Sequence, residues 1–191
     1  MKAIYQLFII LLFAGISFSQ ENPSSKESNT AFCSVGGGLM FPISQTAFRK
    51  SYNSGYNIAA QVGLNRNSIS TQVGFAVEYS KLTPKENING FDVELTLIQI
   101  TGKHAFPAVF YIQPFITGGF GFAHVHCDGI TIGEFSVPSN QEISSTLSIG
   151  LGLQYEMFFI ESKYQFTDFQ KANTIYYKGT IPVRLGVEYK F

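Results

Sequence analysis

Residues 181–191 read I-P-V-R-L-G-V-E-Y-K-F, and their alternation decides the fold. Ile181, Val183, Leu185, Val187, Tyr189 and Phe191 share one parity, while Pro182, Arg184, Gly186, Glu188 and Lys190 share the other. A period of two is the signature of a strand, because successive side chains leave a strand on opposite faces. One face is wholly apolar and the other carries three charges. Eleven residues at about 3.4 Å each, tilted near 40°, rise roughly 28 Å, close to the ~25 Å apolar band of an outer-membrane barrel.

The same alternation recurs upstream. Residues 158–168 set Phe158, Ile160, Tyr164 and Phe166 against Glu161, Lys163, Gln165 and Thr167, and residues 145–155 set Leu147, Ile149, Leu151, Leu153 and Tyr155 against Ser148, Gly150, Gly152 and Gln154. A two-residue turn at Glu156 and Met157 then pairs Tyr155 with Phe158 on one face. Residues 55–64 and 69–82 form a second hairpin, with Tyr56, Ile58, Val62, Leu64, Val73, Phe75 and Val77 on the apolar side and Leu64 opposite Ile69. Residues 91–104 break the rule: Val93, Leu95 and Leu97 have one parity, Ile98 and Ile100 the other. A bulge near Leu97 would restore a single apolar face. Strands at 109–124 and, diluted by Gly36, Gly37 and Gly38, at 31–41 bring the count to eight. The links after the second, fourth and sixth strands are short, and the longest loop spans 125–144.

The first 19 residues hold Lys2, an apolar run and a small-residue exit, which reads as a secretory signal peptide rather than a spanning helix. Residues 20–30, Q-E-N-P-S-S-K-E-S-N-T, read as a polar leader, leaving 31–191 as one barrel domain. Thirteen basic and thirteen acidic residues give zero formal net charge, so nothing favours nucleic acid as a partner. The two cysteines, Cys33 and Cys127, fall at opposite ends of the barrel and are expected to remain unbonded, since a disulfide needs Cα atoms within about 7 Å. The T-A-F before Cys33 does not resemble a lipoprotein cleavage site.

Energetics decide which face meets lipid. Arg or Lys on the lipid face costs roughly 2–4 kcal/mol at the midplane. The charged face therefore turns inward, where Glu78, Glu161, Lys163, Arg184 and Glu188 are expected to pair across neighbouring strands. Eight strands enclose a lumen that side chains fill, so no wide pore is expected. The class is all-β: an eight-stranded antiparallel up-and-down transmembrane barrel.

These strands, the glycine-dotted inner faces and the closing R-L-G-V-E-Y-K-F resemble the small outer-membrane β-barrels of Gram-negative bacteria, the OmpA/OmpX-like and PorT-like groups. That resemblance implies residence in the outer membrane, outer-membrane lipids as surroundings, and recognition of Phe191 by the barrel-insertion machinery. With nothing following Phe191, the peptidoglycan-binding domain of OmpA-like proteins is expected to be missing.

Two clusters invite chemistry. His124, His126 and Asp128, with Cys127 between them, have the spacing for a metal on the outer rim, but a fixed third ligand is wanting. The same histidines with Ser144 or Ser145 have the residue types of a lipid-modifying barrel enzyme, yet no G-x-S-x-G elbow accompanies them. No catalytic, cofactor or metal residue is therefore assigned. The expected role is non-enzymatic, at the envelope or cell surface. A lipid-modifying enzyme, a narrow channel through the inward charges, and a soluble exported lipocalin-like binder are the alternatives. Tyr56, Tyr79, Tyr111, Tyr155, Tyr164 and Tyr189 are expected in the interfacial girdles.

Overall fold

The structure, a computed structural model, describes residues 29–43, 52–66, 70–85, 92–127, 130–132, 135–137, 140–167 and 179–191. The expected signal peptide and nearly all of the leader lie outside these residues. Eight long strands form the wall: β1 (Asn29–Pro42), β2 (Gly55–Arg66), β3 (Thr71–Leu82), β4 (Val93–Ala105), β5 (Gln113–Cys127), β8 (Asn140–Tyr155), β9 (Phe158–Thr167) and β10 (Thr180–Lys190). Two short strands, β6 (Ile130–Ile132) and β7 (Phe135–Val137), make a separate hairpin within the β5–β8 connection. The barrel closes in the order β1-β10-β9-β8-β5-β4-β3-β2, every neighbour antiparallel. Closure leaves no unpaired sheet edge along the barrel wall, the condition a sheet must meet to sit in hydrocarbon.

Alternation survives almost everywhere. On β10, Leu185, Val187 and Tyr189 are exposed while Arg184 and Glu188 are buried. Tyr155 pairs with Phe158 across the Glu156–Met157 turn, where Glu156 takes a positive φ of 52. The β2–β3 hairpin has a different register from the one expected. Leu64 faces Val73 rather than Ile69, because β2 continues to Arg66. The slip is an even number of residues, so each side chain keeps its face.

Several expectations are corrected. Asn29 and Thr30 belong to β1 rather than to the leader. The long loop is shorter than 125–144, since β5 runs on to Cys127 and β8 begins at Asn140. β5 starts at Gln113; Val109 and Ile112 instead bridge across a tight turn. Most informative is β4, which has no bulge. Its pairing with β3 and with β5 is continuous from Val93 to His104. Ile98 and Ile100 face outward as expected, but Val93, Leu95 and Leu97 point into the barrel and are buried. The parity change is real and records a change in what fills the lumen.

Inside, Phe115 and Phe159 project from β5 and β9. A Cβ built at Gly152 or Gly186 would collide with the rings of Phe115 and Phe159 respectively, so those two glycines give the rings their room. Cys33 is a free thiol on β1 opposite Tyr189, and Cys127 lies opposite Val93 and Asn140 at the other end of the wall, the separation expected from the sequence.

Candidate functional site

The lumen holds the buried polar chemistry of the molecule, and its side chains are sorted by height. At the long-loop end, Met40, Tyr52, Leu82, Val93, Leu95, Leu97, Ala123 and Val125 form an apolar cluster. Tyr52 reaches it from the β1–β2 connection, held by a bridge to Pro84 and by Asn53, whose amide donates to the Thr83 carbonyl at 3.0 Å. Beside the cluster, Thr146, Gln165, Thr167 and Thr180 on β8, β9 and β10 join one another by side-chain hydrogen bonds.

One step lower lies a four-membered ion network. Glu78 on β3 is wholly buried, with Lys163 Nζ at 3.1 Å and Arg184 Nη1 at 3.0 Å. Gln165 donates a further hydrogen bond to Glu78, and Glu161 binds Arg184 and lies 3.6 Å from Lys163 Nζ. Arg184 and Glu161 are register partners on adjacent strands, as the sequence suggested. Glu78 is not adjacent to its cations: β3 and β9 stand four places apart in a ring of eight, so the Glu78–Lys163 pair spans the lumen. The expected pairing across neighbouring strands holds for Arg184 with Glu161, whereas Glu78 finds its partners across the lumen. In a barrel this narrow, opposite walls are within side-chain reach.

A second network crosses the lumen nearer the short turns. Lys103 on β4 donates to Glu188 on β10 at 2.7 Å and to Gln154 on β8 at 2.7 Å, and its ammonium stands 4.4 Å from the Phe115 ring centroid. Gln72 donates to the same Glu188 carboxylate at 2.7 Å. β4 and β10 are again opposite strands. Lys103 was not singled out from the sequence, although it shares the parity of Gln99 and Thr101; the broken alternation of β4 obscured its direction. Between the two networks is a cavity of about 20 Å³, lined in part by Ala59, Ala76, Phe159 and Arg184 and close to the space of a single water. A polar vestibule of about 150 Å³ lies at the short-turn end, lined by Gln72, Lys103, Gln113, Gln154 and Lys190.

The exterior is the inverse of the lumen. Phe120, Leu147, Ile149 and Leu185 are each 59–68% exposed, whereas Arg184 is 4% and Lys163 2% exposed. Toward the long loops the outward positions turn polar: Lys81 pairs with Asp92 at 2.8 Å and Glu94 at 3.2 Å, and Thr96 and His124 sit side by side. Tyr56 and Tyr79 stack in a tilted pair near that edge, 6.0 Å between centroids, while Tyr155 and Tyr189 mark the opposite edge. Phe191 packs its ring 5.2 Å from Tyr189, and its amide donates to the Ala31 carbonyl.

The rim residues do not assemble into a reactive centre. His124 and His126 share the outer face, whereas Ser144 is buried on the lumen side of the sheet; Ser145 faces outward opposite Phe122, in the apolar belt. Asp128 lies outside the described residues. Among the described residues no three His, Cys, Asp or Glu side chains gather where a metal could bind.

No protein-family model matches this sequence, and no curated protein sequence matches it. Solved structures do. The crystal structure of Neisserial surface protein A superposes with a TM-score of 0.51 at 16% identity, covering 87% of this chain and all of that one. The N-terminal β-barrel domain of Pseudomonas aeruginosa OprF gives 0.46 at 14% identity over 86% and 98% of the two chains. The attachment invasion locus protein Ail of Yersinia pestis gives 0.47 at 15% over 87% and 100%. The first superposition carries the structural argument: the chain has the fold of the small eight-stranded outer-membrane β-barrels.

Proposed function

We propose that this protein is an integral outer-membrane barrel with a side-chain-filled lumen and a non-enzymatic role at the envelope or cell surface, its long connections facing outward and the lipids of the membrane covering its belt. The observation that carries the reading is the inversion of polarity across the wall. Large apolar side chains ring the outside, exposed from 39% at Val187 to 72% at Ile143, while Glu78, Lys163 and Arg184 are sealed within. A soluble lipocalin-like barrel needs the reverse, an apolar lumen and a polar exterior. At about 25 cal/mol per Å², a continuous belt of exposed Phe, Leu and Ile is unsupportable in water and favourable in acyl chains.

Two readings compete. A narrow channel is opposed by the two ion networks and the apolar cluster stacked along the axis, with a cavity of about 20 Å³ between the networks. A lipid-modifying enzyme is opposed by the burial of Ser144 on the other side of the sheet from His124 and His126, and by the position of Ser145, which shares their face but stands opposite Phe122 within the apolar belt.

The test is reconstitution into liposomes followed by carbonate extraction and planar-bilayer recording. The expected outcome is retention in the membrane pellet with no steady unitary conductance. Release into the carbonate wash rejects the membrane reading, and steady conductance abolished by Arg184→Ala replaces the closed barrel with a channel.

A further inference from the structure

The short turns of this barrel differ from one another. β2 ends in Asn65 and Arg66, and β8 passes to β9 through Glu156; both are polar or charged. The β4–β5 connection with its flanking strand ends, residues 105–114, reads A-F-P-A-V-F-Y-I-Q-P and contains no charge at all. It forms a finger. Val109 and Ile112 exchange backbone hydrogen bonds of 2.8 and 3.0 Å, and Phe106 donates to the Pro114 carbonyl at 2.9 Å. At its tip stand Phe110 and Tyr111, 91% and 86% exposed.

The backbone at that tip is costly. Phe110 has φ 49 and Tyr111 φ 68, both left-handed, the pattern of a type I′ turn. Such turns favour Asn-Gly because only small or locally hydrogen-bonding residues take left-handed angles without strain; bulky residues there are outliers. Two aromatics are therefore held in an unfavourable conformation and projected into space that none of the described residues fills. Strain of this kind at an exposed apolar tip points to a contact outside the molecule.

We infer that the finger is an aromatic anchor that inserts into the phospholipid interface on the short-turn side of the membrane. The inference rests on the membrane location proposed above. Continuity identifies the occupant: Phe106 packs edge-on against outward-facing His104 at 5.3 Å, and Ile116 on the next strand begins the apolar belt, so the finger prolongs a surface that lipid already covers. Chemistry agrees. The finger offers apolar bodies and one phenol, without charges to desolvate, and the backbone groups of Val109 and Ile112 that face each other across the turn are bonded to each other, as entry into a low-polarity layer requires. A soluble protein partner would be expected to meet some polar or charged complement on this surface, and the finger supplies little.

The chain contains no tryptophan, so one introduced residue reports its own surroundings. Phe110→Trp and Tyr111→Trp are compared with Phe120→Trp, in the middle of the belt, after reconstitution into phosphatidylcholine vesicles with and without lipids brominated near the glycerol end of the chain. The expected result is blue-shifted emission at positions 110 and 111, with strong quenching by the brominated lipid. Water-like emission at both tip positions, unquenched while Phe120→Trp is blue-shifted, overturns the anchor and leaves the barrel assignment standing. Water-like emission at all three positions overturns the membrane location itself. A tip signal that is blue-shifted but immune to brominated lipid assigns the finger to a protein contact and rejects lipid as its occupant.

Discussion

β4 lines the lumen with Val93, Leu95 and Leu97 toward the long loops and with Gln99, Thr101 and Lys103 toward the short turns, and the two halves of the barrel interior differ accordingly. The loop-end half holds an apolar core like that of a soluble protein. The other half is held by charges that reach across to opposite walls. The difference teaches how a narrow barrel can be filled. Apolar packing is tolerant of shape and needs no partner, so it closes the mouth at the end that carries the long connections. Ion pairs are directional, and a buried one is costly when broken, so each cross-lumen pair ties strands that share no backbone hydrogen bond.

The largest effect is expected from the charged half. Glu78→Ala leaves Lys163 and Arg184 facing each other with Glu161 as their only carboxylate, and is expected to destabilise the barrel by about 3–5 kcal/mol in urea unfolding from lipid vesicles. Replacing the whole network at once, with Glu78→Leu, Glu161→Leu, Lys163→Met and Arg184→Met, is expected to be far milder, because no charge is stranded. If the fourfold variant is as unstable as Glu78→Ala, the two halves differ in geometry rather than in charge, and the contrast fails.

Next comes the apolar half. Leu97→Ala opens a cavity at a position 1% exposed and is expected to cost about 2–5 kcal/mol by the same measurement. A loss below about 1 kcal/mol would show that the loop-end cluster is loosely packed. Gly186→Ala tests the space between the two ion networks, where the Phe159 ring leaves no room for a methyl; overpacking of about 1–3 kcal/mol is expected. Gly118→Ala is its outward counterpart. The nearest atom, the Ser148 carbonyl oxygen, is 3.6 Å away, and a change within about 0.5 kcal/mol is expected. The smallest stabilising effect belongs to the tip of the β4–β5 turn. Phe110→Asn with Tyr111→Gly relieves two left-handed positions and is expected to raise stability in detergent by about 1 kcal/mol. In bilayers the gain is expected to shrink, because the aromatic contacts are lost.

The wall was legible strand by strand, because a residue's parity survives even a wrong register: Leu64 lies opposite Val73 rather than Ile69, yet still faces out. The inward direction of Glu78, Glu161, Lys163, Arg184 and Glu188 followed from the same parity and from the cost of placing charge in lipid. Lys103 was missed because β4 was the strand whose alternation changed phase. A rule that apolar means outward cannot by itself separate a bulge from a lumen that becomes apolar. Tyr111 was expected at an interface, but the turn that carries it was hidden for a different reason: residues 109–112 match a strand pattern, and nothing local announces left-handed angles at Phe110 and Tyr111.

Sequence alone determined the number of wall strands, the alternation of short and long connections, and the face that each wall strand except β4 shows to lipid, since these follow from local alternation and from transfer energies that hold for any barrel. Closure decided the rest. Bringing β3 opposite β9 and β4 opposite β10 set Glu78 against Lys163 and Lys103 against Glu188 across a space one side chain wide. Those partners are 85 residues apart in each case, and only the curvature of the closed sheet brings them within hydrogen-bond distance.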